Sequence, residues 1–134
     1  MEDSDETLPS GRWRGFYVHA RSQVRHRMDL DLVIARGRII GKGGDDIGPF
    51  LISGRVDEDR RVIWTKSYPG SHDVYYEGHA DLNGIWGTWR IEPTNTGGFR
   101  IWPAAWGNPE GRTGEEACPV EEGSVAVAAV ATGR

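Results

Sequence analysis

Residues 66–79 carry the densest group of side chains able to do chemistry in this chain: Lys66, Tyr68, His72, Asp73, Tyr75, Tyr76, Glu77 and His79. An ammonium beside phenols and an imidazole can fix an anion or move a proton. The His, Asp and Glu side chains could instead hold a metal. The face taken by each side chain decides between these chemistries.

The stretch reads as two extended segments, 61–68 and 72–80, joined by a turn at Pro69-Gly70. Strand side chains alternate between two faces. Val62, Trp64, Lys66 and Tyr68 therefore share one face, and Val74, Tyr76 and Gly78 share the matching face of the next strand. Asp73, Tyr75, Glu77 and His79 point the other way, and His72 stays near the turn. Only three ligands could then converge outside, without the Cys/His spacing of a structural zinc site, so no metal is expected. Asp45 and Asp46 lack the ligand spacing of a calcium loop. GKGGDDIG (41–48) is no phosphate loop, because it lacks the Gly-Lys-Ser/Thr ending. No cofactor is implied.

The elements that must position these groups are short and alternating. Strands are expected over 11–20, 28–36, 38–45, 48–56, 61–68, 72–80, 85–92 and 99–103. Turn residues separate most of them, and 93–98 reads as a connection. No segment has helical periodicity. Eight strands with short connections predict an all-β fold, a single eight-stranded antiparallel up-and-down β-barrel. The expected interior is Trp13, Tyr17, Leu30, Leu32, Ile34, Ile39, Phe50, Ile52, Val56, Val62, Trp64, Tyr68, Val74, Tyr76, Ile85, Trp89, Ile91, Phe99 and Ile101. Gly15, Gly41, Gly54, Gly78 and Gly87 share this parity. They mark either kinks where strands coil or space for a cavity. Lys66 on this face either reaches water at a barrel mouth or anchors a ligand inside.

The opening Gly11-x-Trp13 resembles the G-x-W that begins the first strand of lipocalins and of the avidin/streptavidin family. The likeness covers roughly 11–103 and implies a small calycin-type β-barrel. The avidin biotin site is not carried over. Gly15, Tyr17 and His19 stand where avidins present Asn and Ser, and FRIWP (99–103) has no carboxylate. Trp64 and Trp89 are similar in placement to ring-stacking tryptophans of that family.

The 134 residues are most simply one barrel domain, 11–103, with an acidic tail over 1–10 and a Gly/Pro/Glu-rich tail over 104–134. The net charge of −4 comes from these tails; the body is mildly basic, which argues against a nucleic-acid partner. The single cysteine, Cys118, excludes an internal disulfide and fits a reducing, cytoplasmic location. No apolar run is long enough for a membrane helix. The basic start of the barrel (Arg12, Arg14, Arg21, Arg25, Arg27) reads as a solvated face or a contact for an acidic partner.

These observations favour a non-enzymatic binding protein. A small apolar or aromatic ligand with a polar or anionic group would sit inside the barrel among Trp13, Tyr17, His19, Phe50, Trp64, Lys66, Tyr68, Tyr76 and Trp89. One alternative is a filled barrel that associates with a second copy through the outer-face aromatics Phe16, Tyr75, Trp86 and Trp102. Another is a small enzyme using His19, Lys66, Tyr68 or His72 at the barrel mouth. The sequence favours binding over catalysis and assigns no catalytic residue.

Overall fold

The computed structural model describes residues 8–91 and 95–109. Cys118, the apolar run 124–134 and most of both predicted tails lie outside the described residues.

Eight antiparallel strands follow one another around a closed barrel. They are β1 (Gly11–His19), β2 (His26–Ala35), β3 (Arg38–Gly44), β4 (Pro49–Val56), β5 (Arg61–Ser67), β6 (Asp73–Asp81), β7 (Gly84–Ile91) and β8 (Asn95–Pro103), with a short 3-10 turn at Ala104–Trp106. β1 closes the barrel by pairing with β8, Tyr17 opposite Phe99. Closure leaves no open sheet edge.

The alternation read from the sequence sets the register. In β2, Met28, Leu30, Leu32 and Ile34 are buried and the residues between them are exposed. The predicted interior residues are all buried except Ile91, which packs against the core part-buried. The last strand is longer than expected. Residues 95–98 are strand, pairing with both β7 and β1.

The inward glycines mark close approach between strands. Gly54 faces Trp64 across β4 and β5. A Cβ there would lie 2.1 Å from the Ile63 carbonyl oxygen and 2.4 Å from the Trp64 Cβ. At Gly97, opposite Trp89, a Cβ would lie 1.8 Å from the Val18 carbonyl oxygen and 2.7 Å from the Trp89 indole nitrogen. These two glycines make room for a large aromatic on a neighbouring strand, whereas Gly78 and Gly87 face each other and bring two backbones close.

The two barrel ends differ. At one end Leu8, which the sequence reading placed in the acidic tail, is fully buried in the core. The Trp13 indole donates to the Pro9 carbonyl at 2.9 Å, and the Ile34 amide donates to the Ser10 hydroxyl at 2.8 Å. This segment plugs that end. The opposite end is bordered by the β1–β2 connection (20–25), the β3–β4 turn (45–48) and the β5–β6 turn (68–72).

Candidate functional site

The second barrel end gathers most of the polar side chains. Lys66 sits near the end of β5 on the inward face and is the only buried charged or polar residue among the described residues. Its ammonium lies 4.8 Å from the ring centroids of Tyr17 and Phe50, 5.2 Å from that of Tyr68 and 5.1 Å from that of Tyr76. Four aromatic rings thus box one cation, the geometry of cation–π attraction. Met28, two residues before Leu30 on the inward face of β2, completes the box. Its sulfur accepts from Lys66 Nζ at 3.5 Å and from the Tyr76 hydroxyl at 3.8 Å.

The counter-charge comes from a turn. Asp45 Oδ2 accepts from Lys66 Nζ at 2.8 Å and from the Tyr68 hydroxyl at 2.5 Å. Asp45 Oδ1 accepts from the backbone N–H of Ile47 at 2.9 Å and of Gly48 at 3.3 Å. The carboxylate therefore ties the β3–β4 turn to the barrel floor. Its side chain has no solvent exposure, although the residue's backbone remains partly accessible.

The next residue makes a second latch. The Tyr17 hydroxyl donates to Asp46 Oδ1 at 2.8 Å, and His26 Nδ1 lies 2.6 Å from Asp46 Oδ2. A carboxylate can only accept, so the His26 proton sits on Nδ1 in this contact. The His26 ring stacks on Tyr17 at 4.6 Å. His19 and Trp89 meet Tyr17 edge-on, and the Trp89 indole donates to the Val18 carbonyl at 2.9 Å.

The environment moves three of these acids. Burial pushes the Tyr17 and Tyr68 phenols well above the ordinary tyrosine value. The hydrogen bond to Asp46 adds to this at Tyr17; at Tyr68 the Lys66 charge opposes it. Burial alone would raise the Asp46 carboxyl. The hydrogen bonds from His26 and Tyr17 outweigh it and hold this group below the ordinary aspartate value.

Of the ligand-lining residues expected from sequence, Tyr17, Phe50, Lys66, Tyr68 and Tyr76 meet around one point. His19 and Trp89 border it. Trp64 lies deeper, stacked on Tyr76 at 5.2 Å and edge-on to Phe99. Its indole N–H is buried without an acceptor. Trp13 belongs to the opposite end, with Pro9. Sequence reasoning missed Met28, Asp45, Asp46 and His26. The parity of Met28 with Leu30 was a usable signal, and so was an acid pair in a Gly-rich turn at the same barrel end as Lys66.

The other groups from the opening stretch part company. Glu77 pairs with Arg61 at 2.6 Å, and His79 stacks on Trp86. His72 meets Tyr68 and Ser71 at the turn. Among the described residues no group of three or more His, Cys, Asp and Glu side chains could hold a metal ion, and no helix is long and apolar enough to cross a membrane. Of the four outer-face aromatics, Tyr75 and Trp86 are exposed. Trp102 is buried, packed edge-on against Phe16, and Arg25 lies over the Phe16 ring.

The interior is occupied by the protein's own side chains, packed as one cluster. Two solvent-open recesses lie outside it. A groove of about 630 Å³ is bordered by residues 24–27, Asp29 and the 44–46 turn, at the same end as Lys66. A smaller recess of about 330 Å³ lies beside Phe50, Leu51 and Pro69. In comparison with known proteins, no family model, no curated protein and no solved structure matches the chain.

Proposed function

We propose that this is a non-enzymatic binding protein of calycin-like architecture, which takes a small aromatic molecule with an anionic group at the Lys66 end of its barrel. Lys66 and Tyr68 fix the anionic group, and the ring lies against Tyr17, at the edge of the box that Phe50 and Tyr76 complete. One observation carries the reading: a buried ammonium inside a box of four aromatic rings. A buried ion pair is a poor source of stability, and well-packed apolar residues often do as well or better. Its presence in an otherwise apolar interior therefore points to use. Since the interior is filled, the ligand reaches Lys66 from the adjoining groove. Native mass spectrometry of the protein as purified, together with a tryptophan-fluorescence titration against small aromatic anions, tests the reading. Retained small-molecule mass or a saturable fluorescence change supports it; a bare mass and a flat titration overturn it.

A second reading, self-association of a filled barrel, draws on one feature of the outer surface. Val33 and Ile40 face each other across β2 and β3, and the same row continues through Ser53 and Thr65 to Tyr75. Val33, Ile40 and Tyr75 are exposed, as are nearby Leu51 and Ile63. Such a row suits sheet-to-sheet contact with a second copy. Sedimentation across a concentration range tests it, and a monomer throughout would count against it.

A further inference from the structure

We infer that the Asp45 carboxylate stands in the place of a ligand carboxylate, so that the ligand is an aromatic monocarboxylate and the 45–48 turn is its displaceable internal competitor. This rests on the binding reading above and names both the ligand class and the device that controls access.

Three observations converge on it. First, the whole contact between Asp45 and the barrel floor runs through one oxygen, Oδ2, which accepts from Lys66 and Tyr68. Any carboxylate delivered to that point finds the same two donors. Second, the acid arrives on a turn, not a strand, and glycines flank it. Gly43 and Gly44 precede Asp45, and Gly48 follows with φ at 151°, a conformation that L side chains rarely adopt. A Cβ at Gly48 would meet nothing within 4 Å, so backbone freedom and not crowding accounts for the glycine there. Third, the turn stands between Lys66 and solvent: Asp45 and Asp46 line a shallow, open groove on its outer side together with Arg25, His26 and Arg27, so withdrawal of the turn opens the box on that side. A ligand whose carboxylate replaced that of Asp45 would lay its ring beside Tyr17 and His26, already stacked on each other.

The charge balance selects a monoanion. Within the box Lys66 supplies one positive charge, and the rest is four rings, three of them phenols, and a thioether; Arg25 and Arg27 stand outside it on the open groove. A carboxylate leaves the site neutral, as Asp45 does. A phosphate dianion would leave a buried charge uncompensated. The tie between Asp46, His26 and Tyr17 holds the same turn from its solvent side, so displacement must also break that contact.

The test compares the full chain with its Asp45→Ala variant, each titrated with benzoate and with benzamide, by tryptophan fluorescence and thermal midpoint. Removing an internal competitor raises apparent affinity by the reciprocal of the fraction of time the site stands free, so with the site free about a tenth of the time or less benzoate binds the variant about tenfold or more tightly than the unmodified chain. Benzamide, equal in shape but neutral, gains nothing, and Lys66→Met in the variant abolishes the benzoate response. Should Asp45→Ala fail to fold alone, benzoate restores its cooperative transition and benzamide does not. Benzoate without effect on the variant, folded or unfolded, overturns the exchange. Equal binding of benzoate and benzamide by both chains also overturns it while leaving the binding reading in place. Absence of binding of either compound by either chain overturns both.

Discussion

Lys66 and Asp45 are unequal partners, and that inequality is measurable. Losing one member of a buried ion pair costs about 3–5 kcal/mol, because the other charge is left without compensation. Asp45→Ala leaves the ammonium with the Met28 sulfur and ring faces alone. Lys66→Met leaves the carboxylate with the Tyr68 hydroxyl and two backbone N–H groups. We therefore expect Asp45→Ala to approach the full penalty in urea denaturation and Lys66→Met to cost clearly less. Equal losses would show that the turn, not the charge, sets the cost. Two of the interior tryptophans make a second contrast. Trp89 donates to the Val18 carbonyl, whereas the Trp64 indole N–H has no acceptor. Trp89→Phe should destabilise the fold by about 1–2 kcal/mol more than Trp64→Phe, since only the former removes a made hydrogen bond. Chemical denaturation of the pair checks the order. The inward placement of Lys66, Tyr68 and Tyr76 was legible from alternation alone. Their partners were not. Their barrel end was legible from strand order, but Asp45 and Asp46 lie in a turn, where no periodicity says that their side chains fold inward over β5.

At the scale of elements, the 45–48 turn is held by two carboxylates, Asp45 on its inner side and Asp46 on its outer side. Asp46 is held below the ordinary aspartate value of 3.8. A carboxyl depressed in the folded state stabilises the fold fully above its ordinary value, and that contribution is lost as pH falls through the lower folded value. The acid limb of the stability profile should therefore be shallower in Asp46→Asn than in the unmodified chain, with the two curves differing above pH 4 and converging well below it. Thermal midpoints measured from pH 2 to 6 check this; parallel curves would mean that the His26 and Tyr17 contacts do not hold the turn. Strand existence and face were legible because β2, β4, β5 and β6 keep their period of two; β1 and β8 break it where Val18 and Trp102, read as outward, are also buried. The start of β8 was not. Its Gly97-Gly98 pair reads as a turn, yet both glycines sit in the strand, and at Gly97 the Val18 carbonyl and the Trp89 indole leave no room for a side chain. Leu8 was hidden for the opposite reason. A single apolar residue in an acidic segment carries no pattern, and its burial depends on the open end of a barrel that only tertiary structure supplies.

Taken together, the described residues form a closed, filled barrel with one apolar plug and one charged plug. Leu8 seals the first end by burial, without a titratable group. Asp45 seals the second through an ion pair that a competing carboxylate could take over. Under the proposed binding function, this asymmetry makes the second end the place where the barrel would exchange its own side chain for a ligand. The chain contains two lysines, Lys42 and Lys66, so a lysine-labelled sample gives two side-chain signals and carries its own control. Lys42 is exposed on the outer face of β3, and Lys66 lies in the aromatic box. Titration of the unmodified, labelled protein with benzoate, followed by NMR of the lysine side chains, should shift the Lys66 signal to saturation while Lys42 stays in place. A Lys66 signal that does not move, or that moves no more than Lys42, would contradict the account.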